Sequence, residues 1–281
     1  MGRSTGGRLG SAGFWVHRAR EPGGARPLSP HFHDEYLICA QLRGDEDCQI
    51  GRRTHHLRAG DLVLINPQEV HTGHAAATQG LEYVSLHVDR ERVAEVAGEL
   101  GGGATPEFVA VQVGGQVEMI EALCGLWAAT RAGASDPLAA LAVDAAVTQV
   151  LGEALLAFSD VRAPERRARA RARHPRLARA LEALRASEER EPPTLAALAA
   201  AAGLSKFHFL RVFRAEFGMT PGAYARTLRI CRAARAIRRE GRSPREAAAL
   251  AGFRNATSFA RAFKAIVGVP PSALRRLAGG G

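Results

Sequence analysis

The chain has 281 residues, of which 46% are hydrophobic and 23% charged, enough for two domains with ordinary buried cores and against general disorder. Its net charge of +10 is unevenly spread: residues 164–281 carry 25 basic and 8 acidic side chains, residues 1–163 carry 13 and 20. A basic half joined to an acidic half points to a polyanion-binding domain attached to something else, and four dispersed cysteines without a CxxC pair exclude a disulfide framework or a cysteine-based zinc site.

Residues 1–26 are rich in Gly and Arg, and we expect them to be disordered, with no apolar core for a signal peptide. From about Pro30 to Val88 short strand-like runs such as EYLICAQLRG and GDLVLINP alternate with turn signals roughly every ten residues, which suggests a small barrel or sandwich. Helical periodicity takes over from about Val117 to Phe158, with apolar positions at Ile120, Leu123, Leu126, Trp127, Leu141, Val147, Val150, Leu151 and Leu155. We place a sensor domain with a helical dimerisation segment at 27–160, a charged linker at 161–173 and a helical domain at 174–277. No run of about 18 apolar residues occurs, so no membrane contact is expected and the chain reads as cytoplasmic.

The C-terminal part repeats itself at an offset of 50 residues. Phe209, Arg211, Phe213, Arg214, Gly218 and Pro221 recur as Phe259, Arg261, Phe263, Lys264, Gly268 and Pro271. Each copy reads as a short alanine-rich helix, a glycine turn at Gly203 or Gly252, and a second helix capped by Ser205 or Asn255. Phe209, Val212 and Phe213 form a buried stripe at i, i+3 and i+4. The opposite face carries Lys206, Phe207, Leu210, Arg211 and Arg214 in the first copy, and Asn255, Ala256, Thr257, Ala260, Arg261 and Lys264 in the second. Arg can fork two hydrogen bonds to a guanine edge, and Ala, Leu or Phe can meet a thymine methyl, so these faces suit the major groove of double-stranded DNA. The surrounding arginines suit phosphates.

Residues 174–277 resemble the DNA-binding domain of AraC/XylS transcriptional regulators. The matching stretches are GLSKFHFLRVFRAEFGMTPGAY, the joining R-x-x-x-A from Arg229 to Ala233, and AGFRNATSFARAFKAIVGVPPSALR. Two positions depart from the family: Leu274 replaces a usual aromatic, which alters packing, and Ala256 replaces a frequent long polar side chain, which removes a possible base contact in the second half-site. The resemblance implies that two recognition helices enter successive major-groove segments, in a protein expected to be a homodimer with RNA polymerase as a further partner.

The acidic half contains PHFHDEYLI and GDLVLINPQEVH, which resemble the cupin domain at the N-terminus of many such regulators. In a strand, His31, His33 and Glu35 share one face, and His71 follows a turn and an apolar strand. We expect these four residues to anchor a small-molecule effector. Plain packing or a bound transition metal is the alternative for the histidines, and the usual cupin glutamate spacing is missing. The fold expected is a small cupin-like β-barrel plus a helical segment, followed by an all-α domain with two helix-turn-helix units. We find no nucleophile motif, phosphate loop or dinucleotide fingerprint, so no catalytic residue and no cofactor is expected. The alternative function is a cupin-type metalloenzyme carrying a DNA-binding tail.

Overall fold

A computed structural model describes residues 3–7, 13–24, 28–51, 53–73, 80–103, 105–131, 137–162, 175–186 and 193–277. The N-terminal half is built on two antiparallel sheets. The larger contains β1 (Arg3–Gly7), β2 (Phe14–Glu21), β4 (Tyr36–Arg43), β7 (Asp61–Ile65), β9 (Leu81–Val88) and β10 (Gln112–Gly114), in the order β1-β2-β9-β4-β7-β10. The smaller contains β3 (Leu28–His31), β5 (Glu46–Ile50), β6 (Arg53–Leu57) and β8 (His71–Gly73), in the order β3-β8-β5-β6. The expected cupin-like layout is therefore present, with its strands divided between two sheets rather than closed into one.

The start of the chain departs from the expected disorder. Strand β2 pairs along its whole length with β9, from Phe14 opposite Val88 to Glu21 opposite Leu81. Phe14, Val16 and Ala19 are buried. The composition of residues 1–26 is dominated by Gly and Arg outside this stretch, and masked the alternating pattern FWVHRA within it.

Strand parity decides what each side chain meets, because neighbours point to opposite faces. Val16, Tyr36, Ile38, Ala40, Leu62, Leu64, Val84, Leu86 and Val88 face the helices. These helices are α1 (Arg90–Glu99), α2 (Val117–Arg131) and α3 (Pro137–Phe158). His17, Leu37, Cys39, Gln41, Val63, Ile65, Tyr83, Ser85 and His87 face the second sheet across a cavity. Apolar residues on both faces make these strands read as nearly continuous hydrophobic runs. By length and composition α3 could cross a bilayer, yet Val143, Val147, Val150, Leu151, Ala154 and Leu155 are buried against the sheet and its helices, as in a core helix. Leu141, expected in this core, is 65% exposed.

The C-terminal half is helical throughout its described residues: α4 (Pro175–Ala186), α5 (Leu195–Ala201), α6 (Lys206–Phe217), α7 (Pro221–Arg239), α8 (Pro244–Leu250), α9 (Ala256–Val267) and α10 (Pro271–Leu277). The linker expected at 161–173 lies, from residue 163 onward, outside the described residues. Two small cores correspond to the two sequence copies, one around Phe209, Phe213 and Phe217, the other around Phe259 and Phe263. Helix α7 serves both, with Tyr224, Leu228 and Cys231 in the first core and Ile230, Ala233 and Ile237 in the second. Leu274 is buried in the second core, where its packing role was expected.

Candidate effector cavity and nucleic-acid interface

The repeat in sequence is a repeat in structure. Helices α6 and α9 each have 12 residues. Ser205 and Asn255 cap their N-termini by accepting from the backbone N–H of His208 and Ser258. Gly218 and Gly268 close their C-termini at φ values of 65° and 82°, which a residue with a Cβ adopts only under strain. The preceding helices are capped by Thr194 and Ser243, so their offset is 49 rather than 50. The second turn, Gly252 to Asn255, is one residue longer than the first, Gly203 to Ser205.

With the phenylalanines buried, the opposite faces stand in solvent. Lys206, Phe207, Arg211, Arg214, Asn255, Ala256, Thr257, Arg261 and Lys264 are exposed; Leu210 and Ala260 are half-buried at the edges. Phe207 is 88% exposed. Phe207 is thus outside the core that the other phenylalanines of its helix form. Val212, expected in the buried stripe, is half-buried, and Phe217 completes that stripe instead.

The second site lies between the two sheets. A cavity of about 120 Å³ is lined by His17, His31, His33, His71 and His87 among apolar and thiol side chains. His31 and His71 are opposed across β3 and β8, with ring centroids 4.4 Å apart, and the His33 ring is 4.6 Å from that of His71 and 5.3 Å from that of His87. The Nδ1–H of His31 donates to the Ser29 carbonyl at 2.8 Å, and that of His71 to the Glu69 carbonyl at 2.9 Å. Because a carbonyl only accepts, these bonds place the proton on Nδ1 and leave a lone pair on Nε2. Burial holds His31, His33, His71 and His87 below the ordinary imidazole value and lowers His17 to about 4, so the group is neutral near pH 7. His17 and His87 were not singled out in the sequence. Their signal is the alternation Tyr83, Ser85, His87 within LEYVSLHV, polar groups at period two in an apolar strand.

Glu35 departs from its expected place beside the histidines. Strand β3 ends at His31, and the bend at Asp34–Glu35 turns the carboxylate out of the cavity. It accepts from Arg238 of α7 at 2.5 Å. Arg238 also donates to Asp89 at 2.9 Å, and Arg239 binds the same carboxylate at 2.8 Å and Glu91 at 2.6 Å. Burial works against the charge on Arg238, but Glu35 and Asp89 outweigh it and raise its pKa above the ordinary value. Part of the basic excess of the helical half is thus spent on the acidic half of the same chain.

Two further contacts join the halves. Phe32, between the two histidines and pointing the other way, is fully buried in the first helical core, 4.6 Å from the Tyr224 ring. Ala265, Ile266, Val267 and Gly268, the last turn of α9, form part of the wall of the histidine cavity. The C-terminal end of α9 therefore contributes to the pocket wall, while its N-terminal part is exposed.

A histidine-lined cavity in a double-sheet domain, docked on a basic pair of helix-turn-helix units, defines a ligand-binding DNA reader. Comparison with known proteins agrees. The family described as an AraC-like ligand binding domain matches residues 11–151, and a helix-turn-helix domain family matches residues 198–277. The uncharacterized HTH-type transcriptional regulator YbfI of Bacillus subtilis is 26% identical over 227 residues, covering 79% of this chain and 78% of its own. The HTH-type transcriptional activator AarP of Providencia stuartii is 40% identical over 73 residues, 26% of this chain and 54% of its own. An apo ToxT variant from Vibrio cholerae shares the fold at a TM-score of 0.55 and 12% identity, over 95% of this chain and 98% of that one. The chain belongs to the AraC/XylS family of transcriptional regulators.

Proposed function

We propose that a small molecule held between the two sheets controls where and how tightly the helical domain binds DNA. The observation that carries this reading is the shared wall: Ala265–Gly268 of the second recognition helix line the cavity that His31, His33 and His71 line from the other side. A ligand there touches both domains and acquires a different affinity for docked and undocked arrangements, which is what control requires. ToxT has been solved with an unsaturated fatty acid bound. The cavity here, with five imidazoles among apolar walls, suits a smaller and more polar organic molecule.

In this reading Lys206, Phe207, Leu210 and Arg211 read bases at one half-site and Arg214 holds phosphate. Asn255, Ala256, Thr257, Ala260, Arg261 and Lys264 read a second half-site about one helical turn away. The protein acts in the cytoplasm as a homodimer, with RNA polymerase as its further partner. The dimer face is the outer side of α3, where Leu138 is 74% exposed and Leu141 and Leu156 follow at helical spacing. No residue takes a catalytic role. A thermal-shift screen of small metabolites, followed by fluorescence anisotropy of the full chain on a selected duplex, tests the control. A stabilising compound that changes DNA affinity supports it; stabilising compounds that all leave DNA affinity unchanged refute it.

A further inference from the structure

The three histidines at the centre of the cavity do more than line it. One nitrogen from each of His31, His33 and His71 lies within 4.8 Å of the other two. Two of the three rings are anchored through Nδ1 to backbone carbonyls, Ser29 for His31 and Glu69 for His71. This is the outer-shell arrangement that fixes the tautomer and aims Nε2 when imidazole is a metal ligand. The anchoring carbonyls come from positions two residues before each ring, so the backbone presets the ligand direction.

We propose that His31, His33 and His71 bind one divalent first-row transition-metal ion, with an open coordination position facing the cavity. Three imidazoles suit zinc, cobalt, nickel, copper or ferrous iron, and three protein ligands are the number found where a fourth position is kept for water or an exogenous ligand. Metal–nitrogen bonds of about 2.0–2.1 Å bring ligand nitrogens to about 3.3 Å from one another in tetrahedral geometry. The nitrogens here span up to 4.8 Å, so each ring moves inward by under about 1 Å on binding. Asp34 and Glu35, the acidic residues that follow His33 in sequence, lie outside the cavity lining and are engaged by Gln68 and Arg238. Three neutral imidazoles leave the ion's double positive charge uncompensated, and this draws an anionic oxygen or sulfur donor to the open position. The class of effector that completes the site is therefore a small organic anion. This last step rests on the sensory reading above; the metal site itself does not.

The inward movement has a route to the DNA reader. Phe32 lies between His31 and His33 and is buried among Tyr224 and the phenylalanines of the first helix-turn-helix unit. Drawing the two flanking rings together shifts the backbone that carries it.

The test uses the full chain purified without a polyhistidine tag and stripped with a chelator. Zinc is titrated against a chromogenic competitor, and cobalt is used for its visible absorption. The expected result is one ion per chain, at least a 100-fold loss of affinity in His33→Ala and His71→Ala, and no loss in His56→Ala, an exposed histidine on β6. Circular dichroism checks that each variant folds, and His71→Gln replaces His71→Ala if the latter does not. Absence of stoichiometric uptake by the wild type, or uptake equal in wild type and folded His33 and His71 variants, overturns the metal site. DNA anisotropy in the same samples separates the two readings. No zinc uptake by the wild type with effector control intact overturns the metal and leaves the pocket, whereas zinc uptake by the wild type without any change in DNA binding, or effector control that survives in a variant that has lost zinc, supports the metal and overturns its sensory role.

Discussion

Glu35→Gln tests whether docking between the halves transmits the signal. The carboxylate accepts a charged hydrogen bond from Arg238 in a setting where both side chains are nearly buried. Leaving a buried charge wholly uncompensated costs about 3–5 kcal/mol. Here Asp89 stays 2.9 Å from Arg238, so the loss is closer to that of one charged hydrogen bond, about 1.5–3 kcal/mol. That cost falls on the contact between the halves and not on either half's own core. It shifts the docking equilibrium toward the undocked state by roughly 10- to 150-fold. Hydrogen exchange on the full chain should show lost protection at the end of α7, Ala236–Glu240, and at Ala265–Gly268, with the cores around Leu86 and Phe213 unaffected. DNA affinity measured by anisotropy should lose its dependence on the cavity's ligand. Glu95→Gln, which removes an exposed partner of Arg92, serves as the control and should change neither. Unchanged protection and an unchanged ligand response in Glu35→Gln would refute the claim that this ion-pair cluster holds the halves together.

Arg211→Ala and Arg261→Ala should each cost about 1–3 kcal/mol of DNA affinity and relax specificity at different half-sites, whereas Arg214→Ala should weaken all sequences alike; binding-site selection for each variant reads this. Because Phe207 and Leu210 add two large apolar contacts beside Arg211 where Arg261 has only Ala256 and Ala260, Arg211→Ala should lose more specificity than Arg261→Ala. Phe207→Ala should leave the melting free energy within about 0.5 kcal/mol, since the ring is 88% exposed, yet lower DNA affinity roughly tenfold or more; a variant that melts early and binds DNA normally would show a packing role instead. Deleting residues 1–26 removes β2 and with it Phe14, Val16 and Ala19 from the core, and should abolish the folded sheet by circular dichroism. A soluble, cooperatively folding truncation would show that this segment is dispensable.

The helical half was nearly transparent in the sequence because each of its rules is local. Caps at Ser205 and Asn255, glycines at helix ends and phenylalanines at i and i+4 all act within one or two turns, and the repeat supplied an internal check. The cavity was half legible. His31, His33 and His71 stood out because imidazoles are rare in apolar strands, but His17 and His87 come from strands whose pairing depends on long-range register. Extrapolating a strand through residues 31–35 put Glu35 on the histidine face; a bend of two residues sent it to a partner 203 positions away. Arg238 and Arg239 looked like any other arginines of a basic helix, and only the fold shows that they face the chain's own carboxylates. Gly and Arg around FWVHRARE hid a central strand, since composition averages over a window wider than the strand itself.

Selection of bound duplexes from a random pool by the full chain tests the central account most directly. It predicts an asymmetric consensus with two conserved blocks about 10 base pairs apart, one altered by Arg211→Ala and the other by Arg261→Ala. A pool that stays unenriched, or a single block unaffected by either substitution, would contradict the assignment of both helices as base readers.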